Sequence, residues 1–159
     1  MLICFTFSQT GSDAFILKAY ASFCAIKGQK QLPVEVKREN GKPFLADAEG
    51  ERTLFASLSH SGEITACALS EQPVGIDIQK RKKIDFAAVS ARFFSKKTED
   101  EKEFYRLFCA AEARYKADGG SFFAAMKKGM EGVRIYDLFS EYTFAVKGEE
   151  EILLSECHE

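Results

Sequence analysis

Two long amphipathic runs constrain this chain more than any other feature, because each must bury its apolar stripe against another layer. The first spans Ser12–Lys27, with Ser12 placed to cap it and Gly28 to stop it. Phe15, Ile16, Ala19, Phe23 and Ile26 form its stripe at helical spacing. The second covers residues 98–118: Thr98 and Glu101 have capping-box spacing, Gly119-Gly120 ends the run, and Phe104, Leu107, Phe108, Ala111 and Tyr115 face one side. Short β-type runs follow each helix. After the first come residues 32–36, with Pro33 suited to a sheet edge, then an Asn40-Gly41 turn, a polar loop and the runs 54–59 and 64–69. After the second come 133–136, 142–146 and 152–154, expected to form a final small sheet. A shorter helix is predicted over residues 85–93.

No repeat is visible by identity, but the order of a long helix followed by short strands occurs twice. The expectation is an α+β chain of two similar lobes, residues 1–73 and 74–159, stacked as one unit with a site between them. A chain of 159 residues can bury a core without a disulfide or zinc staple, and 15 Phe with no Trp predict a Phe-filled interior. The 22 basic against 24 acidic side chains argue against a dedicated nucleic-acid binder, which needs a Lys/Arg surplus for phosphates. Cys4, Cys24, Cys67, Cys109 and Cys157 contain no CxxC pair, so they read as thiols in a reducing compartment. Residues 1–7 read as an opening strand and not as a signal peptide, and no apolar run approaches the ~20 residues of a membrane span. A cytoplasmic protein is expected, with no membrane partner.

Three segments carry chemistry. Ser57-Leu58-Ser59-His60-Ser61 follows Gly41-Lys42-Pro43-Phe44. Val74-Gly75-Ile76-Asp77-Ile78-Gln79 alternates with period two, putting Ile76 and Ile78 on one face and Asp77 and Gln79 on the other. Phe108 to Lys116 places Tyr105, Glu112 and Lys116 in a line beside the apolar stripe, at the rim of the core. Each segment has an ordinary reading alone: a surface carboxylate, a hydrogen-bonding histidine, an i,i+4 ion pair. Together, a strand Asp and a helix Glu suit a hard cation, and Lys42, His60 and Lys116 supply donors for phosphate oxygens.

In order and separation, these segments resemble the 4'-phosphopantetheinyl transferase superfamily, in its larger surfactin-synthetase type, of which the chain looks like a short, divergent member. The family's G-K-P-aromatic, S-x-S-H-S, V-G-I-D-x-E and W-x-x-K-E-A-x-x-K motifs correspond to the segments above, and Arg92-Phe93-Phe94-Ser95 resembles its R-F-F-S stretch. The resemblance implies a pseudo-dimeric fold with coenzyme A between two lobes. It also implies Mg²⁺-dependent transfer of 4'-phosphopantetheine to a serine of an acyl or peptidyl carrier protein, releasing 3',5'-ADP. Asp77 and Glu112 would hold Mg²⁺, with Gln79 a weak third ligand. Glu112 would help deprotonate the serine, Lys116 would meet the pyrophosphate, and Lys42, Pro43, Ser59 and His60 would contact coenzyme A.

Gln79 stands where many members have a carboxylate, and Ala111 replaces a lysine. These departures keep a second reading open, a homologue that binds coenzyme A or a carrier protein without efficient turnover. Residues 74–97 hold seven basic groups against two acidic ones, including Lys80, Arg81, Lys82 and Lys83. That run is expected to dock an acidic carrier protein. Two lobes in one chain make a monomer natural.

Overall fold

Residues 1–5 divide their side chains between two cores, and that division sets the layering. Leu2 and Cys4 enter one cluster with Phe15, Ile16 and Phe23, whereas Met1, Ile3 and Phe5 enter another with Ile76, Ile78, Phe144 and Val146. Successive strand side chains point to opposite faces, so a strand buried on both faces reads as a continuous apolar run. The computed structural model describes residues 1–7, 11–94, 98–138 and 140–156, with the backbone alone at Phe93. In chain order its elements are β1 (Leu2–Thr6), α1 (Ser12–Lys27), β2 (Glu35–Glu39), β3 (Lys42–Ala46), β4 (Arg52–Ser61), β5 (Ile64–Ser70) and β6 (Gly75–Lys80). There follow α2 (Phe86–Phe93), α3 (Glu101–Asp118), α4 (Phe122–Lys127), β7 (Arg134–Leu138), β8 (Tyr142–Lys147) and β9 (Leu153–Glu156).

Among the described residues the strands form a six-stranded sheet, β2-β3-β4-β5-β1-β9, and a three-stranded one, β6-β8-β7. α1 covers one face of the larger sheet through Phe15, Ile16, Ala19, Tyr20, Phe23 and Cys24. The other face packs on the smaller sheet, whose far side meets α3 through Cys109 and Ala113 against Ala145. The layers run helix, sheet, sheet, helix, an α+β arrangement as expected. α2 and α4 close an aromatic cluster over α3, where Phe94 and Phe104 are buried and Phe86, Phe108 and Phe122 partly so. Each buried Phe contributes about 1.5–3 kcal/mol.

The structure moves several boundaries. Gly11 is the cap residue of α1, and Ser12 donates to Asp13 Oδ1 instead of capping. Gly28 does end the helix, in the left-handed conformation. α3 is capped by Asp100, whose carboxylate accepts from Glu103 N at 2.7 Å; Thr98 Oγ1 instead donates to Glu103 Oε2. Ile26 and Tyr115, placed in the stripes by spacing, are exposed at the helix ends. The last strand does not join the small sheet: β9 pairs parallel with β1, Leu2 opposite Leu153, so residues 153–156 belong to the larger sheet. Ser95, Lys96, Lys97 and Cys157 lie outside the described residues; Cys4, Cys24, Cys67 and Cys109 are buried thiols.

Candidate functional site

β6 and α3 meet closely because glycine and alanine line their contact. A Cβ on Gly75 would lie 1.9 Å from Ala113 O and 2.5 Å from Ala117 N, so only glycine fits beneath this helix. The outer face of β6 therefore brings Asp77 under the turn of α3 that carries Cys109, Glu112 and Lys116.

Asp77 is 2% exposed and held by three donors. Its Oδ1 accepts from Ser59 Oγ at 2.7 Å and from Lys116 Nζ at 2.9 Å, and its Oδ2 accepts from Gln79 Nε2 at 3.1 Å. Lys116 also donates to Ile76 O at 3.0 Å. Burial, reinforced by the nearby Asp77 charge and partly offset by Lys116, pushes the Glu112 carboxyl above its ordinary value. Cys109 donates to Thr143 O at 3.5 Å, and burial with the Asp77 charge pushes its thiol well up. An inert, protonated thiol thus forms the floor of the site.

β4 is tied to β6 by its side chains. Ser57, Ser59 and Ser61 present their hydroxyls at every second position and accept from the backbone N–H groups of Ile76, Ile78 and Lys80 at 3.1, 3.1 and 2.9 Å. Serines at every second position, 57, 59 and 61, are the sequence signal for this clasp, and reading the segment for substrate contacts alone missed it.

Beside the ionic cluster a cleft of about 450 Å³ opens between β3 and β4 on one side and the end of α3 on the other. Lys42, Pro43, Phe44, Arg52, Lys116 and Gly119 are among its lining residues. A smaller cleft of about 230 Å³ adjoins it, sharing Lys42, Pro43, Ala56 and Lys116. The Arg52 guanidinium stacks on the rings of Phe44 and Phe55, 4.5 and 4.7 Å from their centroids. Cations on both walls favour an anionic ligand.

The predicted residues thus fall into groups. Asp77, Glu112, Gln79, Lys116 and Ser59 come together; Lys42 and Pro43 line the adjoining clefts. His60 is exposed, opposite Thr65, on the face of β4 away from Ser59, and lines neither cleft. The basic run is divided. Lys82 and Lys83 are exposed and Lys80 pairs with Glu141 at 3.2 Å, but the Arg81 side chain is 5% exposed. It donates to Asp137 Oδ1, Tyr142 O, Thr143 Oγ1 and Ser140 O, which makes it a tie to the small sheet and removes it from any docking face.

Among the described residues no group of three or more His, Cys, Asp or Glu could hold a metal ion. Mg²⁺, however, commonly takes one or two carboxylates together with waters and substrate phosphates. Asp77 and Glu112, close enough for one charge to raise the other's carboxyl, fit such a shared site. Gln79 uses its Nε2 to hold Asp77, leaving only a neutral oxygen to offer. No helix among the described residues is long and apolar enough to cross a membrane.

No family model matches the chain. It is 37% identical over 92 residues to the 4'-phosphopantetheinyl transferase Sfp of Bacillus subtilis (strain 168), covering 52% of this chain and 39% of that protein. It is 40% identical over 58 residues to the 4'-phosphopantetheinyl transferase gsp of Aneurinibacillus migulanus, covering 36% and 22%. The 4'-phosphopantetheinyl transferase ffp of Bacillus subtilis is 33% identical over 92 residues, again with 52% and 39% covered. The chain therefore spans less than half the length of these relatives. Over about half of its own length, the chain is similar in sequence to these 4'-phosphopantetheinyl transferases.

Proposed function

We propose that this chain transfers 4'-phosphopantetheine from coenzyme A to a serine hydroxyl of an acyl or peptidyl carrier protein. The observation that carries the reading is the meeting of Asp77, Glu112 and Lys116 beside a cation-lined cleft, in a sequence related to such transferases. The serine oxygen forms a bond to the pantetheine-bearing phosphorus, the phosphoanhydride bond breaks, and 3',5'-ADP leaves. Reactions of this kind depend on positioning and charge neutralisation. Lys42 and Lys116 bind the phosphates from opposite walls, Lys116 turning from Asp77 to the pyrophosphate. Glu112, directly or through a water, accepts the serine proton. Asp77 and Glu112 would hold Mg²⁺, which neutralises pyrophosphate charge when bound. On the outer surface, Lys82 and Lys83 would steer an acidic carrier protein.

The test is to incubate the chain with coenzyme A, Mg²⁺ and an apo carrier protein, and to measure carrier mass. Addition of one phosphopantetheine is expected. Coenzyme A binding without any mass gain would favour the reading of a homologue that binds and does not turn over.

A further inference from the structure

The SxSHS segment contains a residue whose geometry sets it apart from its two neighbouring serines. Ser57, Ser59 and Ser61 all accept from β6 N–H groups, but only Ser59 also reaches a carboxylate, donating to Asp77 Oδ1 at 2.7 Å. A hydroxyl has one hydrogen, and phosphate oxygens only accept. The single Ser59 proton is already directed at Asp77, and the side chain is 7% exposed.

We propose that Ser59 is a positioning residue for Asp77 and not a contact to coenzyme A. The inference rests on the transferase reading for what Asp77 does, and on geometry alone for how Asp77 is held. Of the three donors on Asp77, Lys116 is long and is the one required to turn toward phosphate, and Gln79 is only partly buried. Ser59 is short, buried and fixed at both ends, by Ile78 N and by Asp77. Its hydroxyl thereby carries the placement of β4, part of the cleft wall, across to the carboxylate. Outer partners of this kind orient a ligand before its cation arrives.

The experiment compares Ser57→Ala, Ser59→Ala and Ser61→Ala in three measurements: denaturant stability, Mn²⁺ affinity by electron paramagnetic resonance, and Mg²⁺ activation of transfer. Each substitution deletes one strand-joining hydrogen bond, and Ser59→Ala also removes a donor from the buried Asp77 carboxylate, so Ser57→Ala and Ser61→Ala should lose similar stability and Ser59→Ala more. Only Ser59→Ala should weaken Mn²⁺ binding, by about tenfold. It should also raise the half-activating Mg²⁺ concentration while leaving the KM for coenzyme A unchanged, and Ser59→Thr should restore Mn²⁺ affinity. Mn²⁺ affinity in Ser59→Ala equal to that of Ser61→Ala overturns the proposal. So does a raised KM for coenzyme A with Mn²⁺ affinity intact. If Ser59→Ala does not fold, Ser59→Cys, which keeps the shape with a weaker donor, takes its place under the same criteria. A wild-type chain that binds Mn²⁺ but transfers nothing defeats the transferase reading and leaves this one standing; one that binds no Mn²⁺ defeats this one.

Discussion

α1 and α3 each cover one outer face of the sheet pair, yet they pack by opposite means. α1 inserts large apolar side chains, Phe15, Ile16, Tyr20 and Phe23, into the larger sheet and turns no charged group inward. α3 meets the smaller sheet with Cys109 and Ala113, so its backbone comes within contact of Gly75, and its next row, Glu112 and Lys116, stands over Asp77. Large residues fill space and exclude water, whereas small residues bring two backbones close and leave room at the rim for charged groups. The helix packed through small residues is the one that carries the ionic cluster.

Four substitutions would break or sharpen that contrast. Phe15→Ala should cost the most stability, about 3–5 kcal/mol, because it opens a cavity in a fully buried position. Mn²⁺ affinity of the folded fraction should not move; a large change there would mean that the two helices are not independent. Gly75→Ala should cost about 3 kcal/mol, because the added methyl meets helix backbone that cannot rotate away. Here denaturant stability and Mn²⁺ affinity should fall together, and a neutral outcome would show that α3 can lift without harm.

Glu112→Gln should lower transfer about 10²-fold, equivalent to about 2.7 kcal/mol, by removing the proton acceptor. It should have the opposite effect on stability. A carboxyl raised by burial carries a penalty that is absent below its unfolded pKa and complete above its folded one. The variant should therefore gain stability over wild type at neutral pH and lose that advantage as pH falls to about 4. Denaturation curves at both pH values decide this.

The smallest effect belongs to a second ionic cluster, in which the charges serve structure. Glu150 accepts from the Met1 ammonium at 2.7 Å, from Ser70 Oγ at 2.6 Å and from the N–H groups of Glu71 and Gln72. Although burial works against ionisation, these donors together hold its carboxyl at about 2, down from 4.5. The stability this contributes is complete above about 4.5 and is lost as pH falls through about 2. It should amount to roughly 1 kcal/mol for a partly exposed group. Glu150→Gln should flatten that acid limb, and an unchanged limb would assign acid sensitivity elsewhere.

Much of this architecture is written locally. The alternation of residues 74–79 separates Ile76 and Ile78 from Asp77 and Gln79, because a strand's side chains point to opposite faces whatever the strand pairs with. Helical spacing likewise puts Glu112 and Lys116 in one line, and Asn40-Gly41 turns the chain with both residues at positive φ. The order of the motifs resembles that of the 4'-phosphopantetheinyl transferase superfamily before any contact is known.

Tertiary structure alone decided which polar groups meet. Nothing in residues 153–156 specifies a parallel partner at β1, because strand pairing is chosen by long-range burial. Arg81 sits in a run of four basic residues, and Arg114 lies on a helix two residues from each of Glu112 and Lys116. The fold buries both, Arg81 against carbonyls of residues 140 and 142 and Arg114 against those of Ala125, Gly129 and Glu131. Ser59 reads as a strand serine until β4 lies beside β6. Periodicity fixes the direction in which a side chain leaves its own element, but a hydrogen bond needs a partner within about 3 Å, and only the packed sheets and helices bring one that close.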